Sequence, residues 1–184
     1  ASVVVAARDT MKAEKALAGI PFVEIETVDL ADPDSIRTFA GLFLDSGRPL
    51  HLLINGAGIM ATPLQRDAAG HEGQFATNHL GHFRLTCALW PALKNAEGAR
   101  VVSVSSRAHQ LTGIDFEDID FKHRQYYKWI AYGQAKTANA LFALGLDRRG
   151  AEYGIRSFSL HPGQILTDLA RHLTGDEIET FGAF

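Results

Sequence analysis

Leu50-His51-Leu52-Leu53-Ile54-Asn55-Gly56-Ala57-Gly58 decides how this chain folds. An apolar run from Leu50 to Ile54 stops at Asn55 and gives way to glycines. Such a short, compact run predicts a strand buried on both faces, as in a parallel sheet. Asn55-Gly56 between apolar stretches is also a hairpin signal. The following stretch, Ala57-Gly58-Ile59-Met60-Ala61, is short and does not alternate. A strand ending in a glycine-rich loop therefore fits better than a hairpin.

Upstream of this stretch, Val3 to Ala7 is a β-branched run stopped by Arg8-Asp9. Asp9 or Thr10 can cap a helix over Met11 to Ala18, which Gly19 and Pro21 end. Phe22 to Val28 predicts the next strand. Asp32-Pro33 then reads as an N-cap with proline at the first helical position, and Ile36, Phe39, Ala40 and Phe43 supply an apolar stripe. Downstream, a long helix is expected from Glu72 to Leu93, weakened at Gly81. A strand over Val101 to Ser105, a helix over Tyr132 to Arg149 and a strand over Arg156 to Leu160 follow. Strand and helix in alternation predict an α/β domain, a parallel sheet wrapped by helices.

Composition narrows the function. Lys plus Arg is 18 and Asp plus Glu is 21 in 184 residues, a net charge of −3. That argues against a nucleic-acid partner held by phosphate contacts. Hydrophobic residues at 46% and charged residues at 21% indicate a globular chain rather than a disordered one. Cys87 is the one cysteine, so neither an intramolecular disulfide nor a cysteine metal cluster can form. It is expected to be a small buried hydrophobe in a helix. No stretch approaches the roughly 20 apolar residues of a membrane span, and the N-terminus lacks a basic leader. The expectation is one soluble, cytoplasmic domain over residues 1–184.

In an open parallel sheet, ligands collect where strands end. Here those ends are Arg8, Asp29, Asn55-Gly56-Ala57-Gly58, Ser105-Ser106 and His161-Pro162-Gly163. Tyr132 and Lys136 lie four apart, on one face of the expected helix. A lysine near a tyrosine hydroxyl favours the phenolate, so the phenol can exchange a proton near neutral pH. His79 and His82 share a helix face, but no further ligand sits at metal spacing, so packing or solvation suits them better. Ser106 with His109 suggests a hydrolase, yet no Gly-x-Ser-x-Gly elbow surrounds the serine. Trp90 and Trp129 are packing residues, with Trp129 also placed to line an entrance near Tyr132.

Five segments carry a resemblance. They are Leu52 to Gly58, Asn78-His79-Leu80-Gly81-His82-Phe83, Val102 to His109, Tyr132-Gly133-Gln134-Ala135-Lys136 and His161 to Thr167. In this order they resemble the short-chain dehydrogenase/reductase family, nearest to its retinol-dehydrogenase-like branch, over almost the whole chain. The resemblance implies a Rossmann-type, doubly wound parallel sheet and hydride transfer between a nicotinamide and an alcohol or carbonyl, here apolar or aromatic. The alternative is a non-catalytic binding module on the same fold.

The resemblance implies roles at matching positions. Tyr132 is the general acid/base, and Lys136 lowers its pKa and bonds the nicotinamide ribose. Ser106 holds the substrate oxygen, and Asn78 supports a water-linked proton path to the lysine. Ser106 is preferred to Ser105 because it is the second of the pair and strand alternation separates the two. Asp29 and Leu30 lie beside the adenine, and Asn55, Gly56, Ala57 and Gly58 let backbone approach the cofactor. Pro162, Gly163, Ile165 and Thr167 fix the carboxamide. Arg8 can pair with a ribose 2′-phosphate, favouring NADP(H), with NAD as the alternative. No metal, nucleic acid or membrane segment is implied, and a homo-oligomer is admissible.

Two departures stand out. Gly56 replaces a second asparagine of the family loop. The family's first strand and its Thr-Gly-x-x-x-Gly-x-Gly loop would precede Ser2, and its last elements would follow Phe184, so the chain is expected to be truncated at both ends. That first strand lies between the strand of Val3 to Ala7 and the strand of Leu50 to Ile54. The structure should therefore show a gap, a replacement strand or two re-paired half-sheets.

Overall fold

A computed structural model describes residues 2–163 and 167–177. Five strands and six α-helices appear in it: β1 (Val3–Ala7), α1 (Thr10–Leu17), β2 (Val23–Thr27), α2 (Pro33–Asp45), β3 (Leu52–Asn55), α3 (Gly73–Phe75), α4 (Gly81–Ala88), α5 (Trp90–Lys94), β4 (Arg100–Val104), α6 (Lys128–Gly150) and β5 (Arg156–Leu160). A π turn, Ala76–Leu80, joins α3 to α4, and 3-10 turns occupy Arg107–Gln110 and Asp168–His172. The helix starts follow their caps. Asp9 accepts from the Lys12 N–H at 2.9 Å, and Asp32, with Pro33 behind it, accepts from the Asp34 N–H at 2.8 Å.

All strand pairs are parallel. β1 pairs with β2, Val3 opposite Val23 through Ala7 opposite Thr27. β4 lies between β3 and β5. Among the described residues the two sheets stay separate, β1 and β3 each having one partner. Of the three expected outcomes, the gap is the one observed. Val4 and Ala6 of β1 and Leu53 of β3 nevertheless pack against one core. That core joins Ile36, Phe39, Ala40 and Phe43 of α2 to Leu85, Leu89 and Ala92. A second core ties Leu93, Val101 and Ile155 to Leu146 of α6. No helix among the described residues is long and apolar enough to cross a membrane.

Three sequence readings need correction. The run Leu50 to Ile54 is not buried on both faces: β3 is Leu52–Asn55, with Leu52 52% and Ile54 60% exposed. Helices cover the Leu53, Val101 and Ser157 side of this sheet. The opposite side presents Leu52, Ile54, Phe158 and Leu160 to solvent, so the doubly wound arrangement is partial among the described residues. The helix expected from Glu72 to Leu93 is broken into α3, a π turn, α4 and α5. The break comes where the Gly81 N–H reaches back five residues to the Ala76 carbonyl. Cys87 is exposed, because Leu85, Thr86 and Leu89 take the inward face of this segment.

Gly81, which weakened the helical reading, is there for contact. A Cβ on it would lie 2.4 Å from the Leu30 carbonyl oxygen and 2.7 Å from Leu30 Cβ. Helix α4 thus presses directly on the turn after β2. Gly81→Ala in the full-length protein should lower stability by about 1–3 kcal/mol through overpacking, despite alanine's better helix propensity. Urea denaturation checks this, and an unchanged midpoint would show that Leu30 yields freely.

Candidate active site

The carboxyl ends of the strands bring chemistry together because every strand runs parallel to its neighbours. After β4, Ser105 and Ser106 part company. The Ser105 hydroxyl donates to the Lys136 carbonyl at 2.8 Å. The Ser106 side chain lies beside the Tyr132 hydroxyl and accepts from the Ala108 N–H at 3.2 Å. Gly133 allows this approach, since a Cβ there would come within 2.7 Å of the Ala108 carbonyl. Tyr132 and Lys136 lie one turn apart on α6, both buried.

Lys136 Nζ donates to the Val104 carbonyl at 3.0 Å and lies 5.5 Å from the centre of the Tyr132 ring. Burial without a carboxylate partner pulls its ammonium down to about 8. Burial also holds the Tyr132 phenol above its ordinary range, partly offset by the neighbouring Ser106 hydroxyl. The lysine was expected to lower that pKa, but it sits over the ring and desolvation governs.

Asn78, in the π turn, grips the glycine loop by both amide atoms. Its Oδ1 accepts from the Ile59 N–H and its Nδ2 donates to the Ile59 carbonyl, each at 2.9 Å. At the loop's other end, Asn55 Nδ2 donates to Thr86 at 3.0 Å, and Asn55 Oδ1 is buried without a partner. Between them, Gly58 comes so close that a Cβ would lie 3.0 Å from Asn78 Oδ1 and 4.0 Å from Lys136 Nζ. Gly56 is different: a Cβ there would make only ordinary contacts. No hairpin forms at Asn55-Gly56, for β3 pairs in parallel.

The remaining expected positions are more scattered. Asp29 ties its own turn through the Ala31 N–H, and Leu30 is buried against Gly81. Arg8, at the end of β1, opens on a cleft of about 340 Å³ that Ala31, Ile59, Thr77 and Arg171 also line. Pro162 and Gly163 follow β5 and are exposed. Thr167 caps the turn Asp168–His172. Ile165 lies outside the described residues. Tyr132 is only 3% exposed, under an apolar cover of Met60, Ala61, Ala170 and, less buried, Trp129, Leu169 and Leu173. Glu177 holds this cover down. It pairs with Lys128 at 2.6 Å, which takes its carboxyl to about 2, and accepts from the Trp129 indole at 3.3 Å.

Sequence reasoning missed the supporting amides and histidines. Gln74 accepts from the Ala61 N–H at 2.9 Å and donates to Tyr126, which bonds the buried Glu72. Asn139 shares the Val104 carbonyl with Lys136. The one legible signal was spacing: Asn78, His82 and Thr86 recur every four residues on one helix face.

With this geometry in view, the relationships are clear. The family model for short chain dehydrogenase matches residues 1–118. The chain belongs to the short-chain dehydrogenase family. Its relatives include a probable oxidoreductase of Streptomyces antibioticus, 44% identical, with 99% of this chain and 62% of the relative covered. Human retinol dehydrogenase 12 is 41% identical over 94% of this chain and 56% of that protein. An uncharacterized protein of Mycobacterium paratuberculosis superposes with a TM-score of 0.80 at 43% identity, covering 93% of this chain and 62% of that one. NADPH-bound carbonyl reductase from chicken fatty liver superposes at 0.72 with 26% identity, covering 95% and 73%. The chain thus spans less than two thirds of the length of these curated relatives.

The depressed Lys136 pKa has a measurable consequence. Between about pH 8 and its ordinary value near 10.5 the unfolded chain keeps a proton that the folded chain has released. Lys136 therefore adds stability as pH rises through that window. The ¹³Cε resonance of Lys136 in the full-length protein should titrate near 8. A midpoint above 10 would show that its cation is not desolvated.

Proposed function

We propose that the full-length protein is an NADP(H)-dependent oxidoreductase that interconverts an apolar alcohol and its carbonyl. The observation that carries this reading is Ser106 beside the Tyr132 hydroxyl, with Lys136 one turn away and Asn78 bracing the facing loop. When bound, the nicotinamide supplies or accepts the hydride.

The described residues fit such a cofactor. Gly58 offers bare backbone beside Lys136 and Asn78, where a side chain would obstruct. Asn55 keeps a buried acceptor unspent. Lys136 uses one of three N–H donors on Val104 and has two left. Arg8 favours a 2′-phosphate over a bare hydroxyl, because the neighbouring Asp9 carboxylate is engaged in capping α1. Asp29 and Leu30 would flank the adenine, and Ala57 and Gly56 the chain between. Pro162, Gly163, Ile165 and Thr167 would take the carboxamide.

In the reductive direction Tyr132 gives its hydroxyl proton to the substrate oxygen, and in the oxidative direction it takes one back. Ser106 hydrogen-bonds that oxygen and stabilises charge developing on it. Lys136 draws the phenol towards phenolate once its cation faces the reacting oxygen. In reduction the Tyr132 phenolate regains a proton from solvent by way of Lys136 and water held at the Asn78 carbonyl, which only accepts a hydrogen bond; in oxidation the proton leaves by the same path. Met60, Trp129, Leu169 and Leu173 around Tyr132 suit an apolar substrate, in keeping with relatives named retinol dehydrogenase. The segment carrying Leu169 and Leu173 must lift to admit it.

Fluorescence titration of the full-length protein with NADPH and NADH tests the cofactor, and turnover of an aldehyde and alcohol panel tests the chemistry. NADPH should bind more tightly, and Arg8→Glu should reverse the preference. Tyr132→Phe should cut kcat by about 10²–10⁴ while keeping cofactor affinity. Near-normal turnover by that variant would overturn the assignment, and failure to bind either nucleotide would leave a non-catalytic module.

A further inference from the structure

His82 is a buried titratable group that the chemistry above leaves unused. Its ring lies in the interior, 4% exposed, with Nδ1 2.9 Å from the Asn78 carbonyl oxygen. A carbonyl can only accept, so Nδ1 carries the proton. Burial, opposed by that bond and aided by the nearby Lys136 and His79, takes the imidazole down to about 4. The ring is therefore neutral and a fixed donor at working pH. It holds the backbone of the same residue whose side chain clamps Ile59. The thread continues outward: the Thr86 hydroxyl donates to the His82 carbonyl at 2.8 Å and accepts from Asn55 at 3.0 Å. One helix face thus ties both ends of the Asn55–Ile59 loop and the backbone of the π turn.

The π turn makes such a brace necessary. Where the Gly81 N–H reaches back to Ala76, the regular succession of backbone bonds is interrupted, and carbonyls nearby need other donors. We propose that His82 is a positioning residue for proton transfer: its Nδ1–H fixes the Asn78 carbonyl so that the other lone pair serves the path from Lys136. This rests on the oxidoreductase reading above. Neutrality is part of the design, since an imidazolium here would place a second cation beside Lys136.

Two variants of the full-length protein separate positioning from packing. His82→Met keeps bulk without a donor, and His82→Gln keeps an N–H that can reach the Asn78 carbonyl. With NADPH and a carbonyl substrate, His82→Met should lose kcat by about 10- to 100-fold, raise the solvent deuterium isotope effect and leave KM near wild type. His82→Gln should recover most of kcat. Equal kcat and isotope effect in wild type and His82→Met would overturn the proposal. So would a shared loss in both variants that follows their thermal stability. A wild type inactive on the whole panel would instead sink the oxidoreductase reading. Should His82→Met fail to fold, ¹⁵N NMR of the wild-type histidines still decides. A neutral Nδ1–H tautomer for His82 from pH 5 to 9, shifted on NADPH addition, supports the proposal, and an Nε2–H tautomer contradicts it.

Discussion

The site depends on one side chain holding one residue's backbone from both sides. Asn78 accepts from the Ile59 N–H and donates to the Ile59 carbonyl, satisfying both groups of a half-buried residue outside any strand. Losing it would leave two half-buried backbone groups unmatched, at up to about 1–3 kcal/mol each. It also sets where Gly58 lies against Lys136. The π turn, Gly81 and the close contact with Leu30 all place Asn78 for this task. The loop geometry is therefore a property of the α3–α4 segment as much as of the loop's own glycines.

Burial then sets the chemistry. Lys136 lies inside with a single backbone carbonyl as partner, so its proton is loosely held for a lysine. The Tyr132 phenol is pushed the other way by the same burial. Burial thus drives the two pKa values apart, so the phenol holds its proton while the lysine gives one up readily. The histidines on the adjoining helix face stay neutral and act as donors. His79 bonds Asn139, whose amide shares the Val104 carbonyl with Lys136, and His82 bonds Asn78. Each thus steadies an asparagine beside the lysine without adding charge.

Much of the fold was legible in the sequence. The strand over Arg156–Leu160 falls where its residues indicate, and the α2 cap at Asp32-Pro33 and its buried stripe follow the pattern. The parallel order followed from strand and helix alternating. What composition could not convey was coverage. Leu52 and Ile54 look like interior residues because their neighbours are apolar, yet exposure depends on which element packs over them. The π turn was hidden because Ala76 to Leu80 has ordinary helical residues and the cause, Gly81 against Leu30, is a contact distant in sequence. Tyr132 and Lys136 were legible from their four-residue spacing and Ser106 from its strand end, whereas Asn78 and the roles of all four came from motif resemblance, and the structure brings them to one place. The supporting histidines were weighed as metal ligands, a question that spacing raised and that gave no view of their amide partners. Cys87 was misplaced for a similar reason: a helix position alone does not say which face turns inward.

The Asn55–Ile59 loop is held by Asn78 and Thr86 without any ligand, and in the proposed function it receives the cofactor against Lys136. Amide hydrogen exchange in the full-length protein, with and without NADPH, tests this most directly. The Ile59 amide should be protected already in the free protein, because Asn78 accepts from it, and Gly58 should gain protection when NADPH is added. Free exchange at Ile59, together with no response at Gly58 to NADPH, would show that the loop is not held in advance and does not meet the cofactor.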